Sequence, residues 1–349
     1  MFGMMMKNEG DRATDASEPL LSGTMRMTTY PIEYPDIWRH YKLQLASFWV
    51  AEEIDFSRDR EHFNNKLNEE ERHFVKNILV FFAASDTLVS LNLMTNFCKD
   101  VTVMEAQYGY TFQAMMENVH AEVYSLMIET FIQDNSVKDS IYKDLGDMQS
   151  VIRKVNWAAK WCDPSEPFHK RIVAFAIVEG LFFSGAFCAI YWIKQRNLLP
   201  GLTKSNEFIA RDEGLHTEFA CLLHSKLLKR MSPEEAREMF MEAISIEKEF
   251  ICEAVPCRLV GMNPKLMCQY IEHVADNLLV MLGYPIIFGS TNPFGFMELI
   301  GMNARTNFFE ERASLYQRSD VMNTDRRNTE TGGPQSSRDK GDTFFTEDF

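Results

Sequence analysis

Apolar residues recur at helical spacing along most of the chain, and polar punctuation divides them into long segments. Asn68-Glu69-Glu70-Glu71 reads as a capping box, after which apolar positions repeat every three or four residues to about Phe97. A second helix is expected from about Thr102 to Ile132, running through Gly109. A third stretch, Ile172 to Ile193, is apolar on every side; it opens after Pro167 and closes before Pro200-Gly201. A fourth helix follows from about Thr203 to Lys229. Ser232-Pro233-Glu234-Glu235 sets a cap, a first-turn proline and a glutamate three residues on, so a fifth helix starts there and ends near Pro256. Asn263-Pro264 opens a sixth. No run shows the β-branched alternation that a strand ladder needs, and the expected fold class is all-α.

Both ends read differently from this body. Residues 1–24 lack periodicity and are expected to be disordered, leaving a helical domain over 25–316. Residues 317–343 are rich in Asn, Thr, Ser, Asp, Arg and Gly, too polar to offset chain entropy by burial. The composition then turns at Phe344-Phe345-Thr346-Glu347-Asp348-Phe349, so 317–349 reads as a flexible tail that closes on a docking peptide. The segment Ile172–Ile193 is long enough to cross a bilayer. Its single charge, Glu179, would then cost roughly 2.5–3.5 kcal/mol inside the membrane. A buried core helix is the better reading, and it requires a partner for Glu179.

Composition narrows the function. Lys and Arg number 36 against 50 Asp and Glu in 349 residues, a net charge of −14. That balance disfavours nucleic acid or an anionic membrane as the main partner. Seven cysteines without a CxxC pair read as reduced thiols, and the acidic N-terminus resembles neither a transit peptide nor a secretory signal. A cytoplasmic location is expected.

The candidate chemistry lies on four of the helices. Glu-x-x-His places a carboxylate and an imidazole on one helical face, where both can ligate one metal. The motif occurs four times. Glu70/His73 lies in a charged helix start and reads as a solvated face, and Glu166/His169 is split by Pro167. Glu117/His120 and Glu213/His216 instead lie inside long helices among large apolar neighbours. Two acids join them: Asp86 within LVFFAASDTLV and Glu179 within FAIVEGLFF. Glu117 follows Asp86 by 31 positions and Glu213 follows Glu179 by 34, so one unit occurs twice. Two helical hairpins packed together would bring four carboxylates and two histidines to one centre. Buried acids at that density repel one another unless cations intervene, and two metal ions resolve the conflict. Oxygen-rich sites with one imidazole per ion suit Fe or Mn better than zinc. The arrangement resembles that of the ferritin-like di-metal carboxylate bundles.

Tyr124 lies one turn beyond His120 and two beyond Glu117, on the face that carries the cluster. Phe183 and Phe187 follow Glu179 at helical spacing, and Ile209 precedes Glu213 by one turn. These apolar groups can wall a tyrosine off from water, a role compatible with plain core packing.

FFAASD (81–86), MENVHAEVYSL (116–126), VEGLFFSG (178–185) and RDEGLH (211–216) resemble the small, radical-generating subunit of class I ribonucleotide reductase of the eukaryotic type. The resemblance runs from about Tyr30 through Asn307 and includes PIEYPDIW, ASFWVAEE, NPFGFME and TNFFE. It implies a ferritin-like bundle with additional helices and two iron ions, oxo-bridged, in the bundle core, manganese being the lesser alternative. The implied ligands are Asp86, Glu117, His120, Glu179, Glu213 and His216, and Tyr124 is the implied site of a stable radical formed with oxygen. Phe183, Phe187 and Ile209 would form the radical pocket. Trp49 and Asp212 match the route by which the oxidising equivalent leaves, through a hydrogen bond to His120. Tyr316, in LYQR, matches the tail tyrosine that hands it on. Phe345, Thr346, Glu347, Asp348 and Phe349 match the peptide that docks on the large subunit, although the ending here is shorter than is usual. The implied partners are the large catalytic subunit, which binds the ribonucleotide, and a second copy in a homodimer.

Two other readings share the bundle. Another di-iron carboxylate oxidase or oxygenase would need a substrate channel and no exported radical, which the tail and Trp49 argue against. A non-catalytic partner subunit would be expected to lose ligands, and all six stand; an iron-binding store would be a small shell-forming bundle, and 349 residues are too many for one.

Overall fold

The structure is a computed structural model that describes residues 17–23, 26–253 and 262–297. Among the described residues every regular element is helical. In chain order the helices are α1 (Pro35–Ala46), α2 (Asp59–Asn65), α3 (Glu69–Asn92) and α4 (Met104–Phe131). They continue with α5 (Asn135–Gly146), α6 (Gln149–Trp161), α7 (Phe168–Gly180) and α8 (Ser184–Gln195). The series closes with α9 (Pro200–Ser225), α10 (Pro233–Glu253) and α11 (Pro264–Leu282).

Three starts follow the chemistry of their caps. At α3, Asn68 Oδ1 accepts from Glu71 N at 2.8 Å and Glu71 Oε2 accepts from Asn68 N at 2.9 Å, the reciprocal bonds of a capping box. Ser232 and Glu235 repeat the exchange at α10. Asn263 Oδ1 accepts from Lys265 N and Leu266 N at α11, with Pro264 in the first turn. The start of α9 is capped from outside: Asp59 on α2 accepts from Gly201 N at 2.8 Å and Leu202 N at 2.7 Å. A Cβ on Gly201 would lie 2.7 Å from Asp55 O, so glycine is what allows this approach.

The helix expected over 172–193 is in fact two, α7 and α8, separated by a turn at 181–183. Both Leu181 N and Phe182 N converge on Ile177 O, which widens the last turn of α7 and ends it. Ser184 Oγ donates to Leu181 O at 2.7 Å and tightens the turn before α8. A segment apolar on every face has no periodicity to lose, so the pattern hides the break. Of the most apolar window in Phe168–Gln195, 94% is buried inside the protein, which places Glu179 in a protein core.

The core is a layer of four helices, with α3 packed along α4, α7 along α9, and α4 joined to α9. Helix α1 covers α4 and α9, while α6, α10, α8 and α11 cover the other side. Helices α1, α2, α5 and α6, outside the six delimited by pattern, are shorter than the central α3, α4 and α9. Within the span 1–24 expected to be loose, residues 17–23 form a turn tied to the body. Leu20 is fully buried, Thr102 N donates to its carbonyl, and Glu18 accepts from Leu228 N and Lys229 N.

Candidate metal centre

Asp86 is on α3, Glu117 and His120 on α4, Glu179 in the last turn of α7, and Glu213 and His216 on α9. All six are buried. Ligand atoms of Glu117, Glu179, Glu213 and His216 lie within 4.8 Å of one another, and so do those of Asp86, Glu117 and His120. The two groups share Glu117, so together these residues could hold two neighbouring ions. His216 Nδ1 is 3.0 Å from Glu117 Oε1 and 3.3 Å from Glu213 Oε2. His120 Nδ1 is 3.4 Å from Glu117 Oε2 and 3.2 Å from Glu213 Oε1. Both imidazoles therefore present Nδ1 to the centre.

Electrostatics states the problem this cluster poses. Burial, with the Glu117 carboxylate beside it, holds Asp86 well above the usual carboxylate range. Burial and the neighbouring Glu213 do the same to Glu179. Glu213 goes the other way: burial opposes its charge, but its hydrogen bond with Glu179 and the two histidines hold it far below. Burial disfavours the His216 cation, yet the Glu117 and Glu213 carboxylates push its pKa up to about 9. Protons thus do by halves what divalent cations would do fully. Asp86 Oδ2 is buried with no hydrogen-bond partner, an acceptor left for a cation. The donor set of four carboxylates and two neutral imidazoles fits two ions of the iron or manganese kind.

The Tyr124 hydroxyl is buried and has no hydrogen-bond partner either. Burial, with Asp86 and Glu213 nearby, drives its phenol pKa well above the ordinary value. Its ring stacks on Phe82 at 4.8 Å and 7°. A neutral phenol enclosed beside a cluster of acids can lose an electron only together with its proton.

A hydrogen-bonded path leaves the cluster on the other side. His120 Nε2 is 3.1 Å from Asp212 Oδ2, and the same oxygen accepts from Trp49 Nε1 at 2.7 Å. The Trp49 ring stacks on the His120 ring at 6.0 Å. Burial opposes the Asp212 charge, but His120 and Arg211 outweigh it and keep this carboxylate below its usual range.

A family model described as "Ribonucleotide reductase, small chain" matches residues 26–293. The chain belongs to this family. It is 52% identical over 308 residues to a ribonucleoside-diphosphate reductase small subunit of Arabidopsis thaliana, covering 88% of this protein and 93% of that one. It is 49% identical over 337 residues to the corresponding small subunit of Neurospora crassa, covering 96% and 82%. The solved Rnr4 homodimer of Saccharomyces cerevisiae superposes with a TM-score of 0.78 at 35% identity, covering 88% of this protein and 95% of that one. A ribonucleotide reductase small chain is the small subunit of an oxidoreductase of deoxyribonucleotide synthesis that works with a large subunit, and the buried cluster has the donors a di-metal site needs.

Within this small subunit, the residues singled out in sequence fall into four sets. The six ligands, Tyr124, Trp49 and Asp212 converge as described. Phe183 and Phe187 pack on Phe82, at 5.8 and 5.1 Å, and so form the layer behind the ring that touches Tyr124; Ile209 is buried one turn before Glu213. Tyr316 and Phe345–Phe349 lie outside the described residues. Glu70 and His73 stand exposed at the start of α3.

Three contributors were missed. Phe82 is one turn before Asp86, a spacing that could have marked it. Gln113, one turn before Glu117, donates to Glu179 Oε1 at 3.0 Å and orients that ligand. Arg211 donates to Asp212 Oδ1 at 2.8 Å and to Ser47 O at 2.8 Å, fixing the carboxylate on the route to Trp49. No local spacing announces that bond, because the Ser47 carbonyl comes from the far end of the sequence.

Proposed function

We propose that this small subunit stores an oxidising equivalent on Tyr124 and delivers it to the large subunit, where ribonucleotides are reduced. The single observation that carries the reading is the unpartnered, buried Tyr124 hydroxyl beside the six-ligand cluster. Asp86, Glu117, His120, Glu179, Glu213 and His216 would hold two iron ions, manganese being the lesser alternative. When bound in the ferrous state, the pair supplies two of the four electrons that reduce O2, Tyr124 a third and an external reductant the fourth.

The protein's own residues do the rest. Phe82, Phe183 and Phe187 keep water from the phenol and so protect the radical from reduction. Asp212, held ionised by Arg211, accepts hydrogen bonds from both Trp49 and His120 through one oxygen, which couples the indole to the cluster. In this reading the equivalent passes along His120, Asp212 and Trp49, then through Tyr316. Residues Phe345–Phe349 dock on the large subunit. The subunit works as a homodimer in the cytoplasm. Ferrous iron and oxygen added to the metal-free protein should give a tyrosyl radical by electron paramagnetic resonance. The same signal in Tyr124→Phe would refute the assignment.

A further inference from the structure

The break between α7 and α8 lies between a metal ligand and the tyrosine wall. Glu179 is the second-last residue of α7, and Phe183 directly precedes α8. A buried ion pair grips this break from outside the central layer. Lys154 on α6 and Glu247 on α10 are 4% and 0% exposed, with Nζ 2.5 Å from Oε2. Lys154 Nζ also donates to Phe182 O, within the turn, at 2.7 Å. Its ammonium sits over the rings of Phe250, Phe81 and Phe182, at 3.8, 4.6 and 5.1 Å. Glu247 closes on the other side of the turn, where a Cβ on Gly185 would lie 2.9 Å from its Oε1. The pair therefore touches both ends of the segment 182–185.

Close packing holds that segment only in part on its α6 side, where the Trp157 ring meets Phe182 edge-on at 5.0 Å. A cavity of about 290 Å³ opens there, lined by Phe81, Ser85, Lys154, Val178, Phe182 and Phe183. A turn with free space beside it relaxes unless something polar fixes it, and a buried ion pair is better suited to fixing geometry than to adding stability. We infer that the Lys154–Glu247 pair is a positioning clamp that sets the α7–α8 break and thereby holds Glu179 and Phe183 in register with the metal centre. The inference rests on the di-metal reading.

The test is a Mn(II) titration of the full-length metal-free protein, followed by electron paramagnetic resonance. Wild type should take two ions; a wild type that does not would overturn the di-metal reading and the clamp together. Lys154→Met should keep one ion, and its second should bind about 10- to 100-fold more weakly, the usual cost of losing support behind a ligand. Glu247→Gln, which keeps the side chain's shape, should show the same loss and carries the test if Lys154→Met does not fold. Lys154→Arg, which restores the cation, should recover the second ion. Asp276→Asn is the control for general destabilisation, because Asp276 caps the loop at Ile287–Ser290. It should lower the melting temperature and leave both ions bound. Two ions at wild-type affinity in folded Lys154→Met or Glu247→Gln, or an equal loss in Asp276→Asn, overturns the clamp.

Discussion

Trp49→Phe separates radical storage from radical export. The indole donates one hydrogen bond, to an ionised carboxylate, and a bond of that kind contributes about 1.5–3 kcal/mol. Asp212 is not orphaned by the change, since Oδ2 keeps His120 and Oδ1 keeps Arg211. The smaller ring leaves about 40 Å³ unfilled at a fully buried site, roughly 1 kcal/mol more at ~24 cal/mol per Å³. The total, about 2.5–4 kcal/mol, is less than the usual stability of a domain, so the variant should fold with a lowered melting temperature. His120 keeps its carboxylate partner and Tyr124 keeps its ring wall. Iron and oxygen should therefore still produce the tyrosyl signal at near wild-type amplitude. Deoxyribonucleotide formation with the large subunit should fall to background. Unchanged turnover would refute the transfer route, and loss of the radical along with turnover would make Trp49 a support of the centre instead.

Three further outcomes are expected. Phe82→Ala should lower stability by about 3–5 kcal/mol, measured by denaturant titration, and should shorten the radical's lifetime by admitting water beside Tyr124; a lifetime equal to wild type would remove Phe82 from the wall. His216, raised to about 9 from an unfolded value near 6.5, should stabilise the metal-free protein fully below pH 6.5, a contribution lost as pH rises through 9. Metal affinity should move the opposite way over that window, rising about tenfold per pH unit for each proton displaced, and a flat affinity profile would contradict it. Deleting residues 343–349 should abolish nucleotide reduction with the large subunit while leaving the radical intact, and surviving activity would show that docking lies elsewhere.

What could be read in the sequence was whatever a helix fixes locally. Glu117 and His120 share a face because three residues make nearly one turn, and the same holds for Glu213 and His216. The repeated spacing from acid to motif then carried the expectation that two hairpins meet. What could not be read depends on register between helices. Phe82 and Phe183 are both apolar residues one turn from a ligand, and only the rotation of α3 against α4 decides that Phe82 takes the Tyr124 ring while Phe183 stands behind it. Gln113 looks like a polar residue on a helix surface until α7 brings Glu179 to it. The break after Gly180 is hidden for a related reason: where every position is apolar, periodicity carries no phase, and the polar groups that meet the break, Lys154 and Glu247, come from elements that share no pattern with it. Ligand identity is thus a local property of this protein, and ligand aim is a tertiary one. That division predicts where substitutions will mislead. Changes at Gln113, Lys154 or Arg211 leave all six ligands in the sequence, so a relative altered at these positions would look intact by motif and still bind or use its metals poorly.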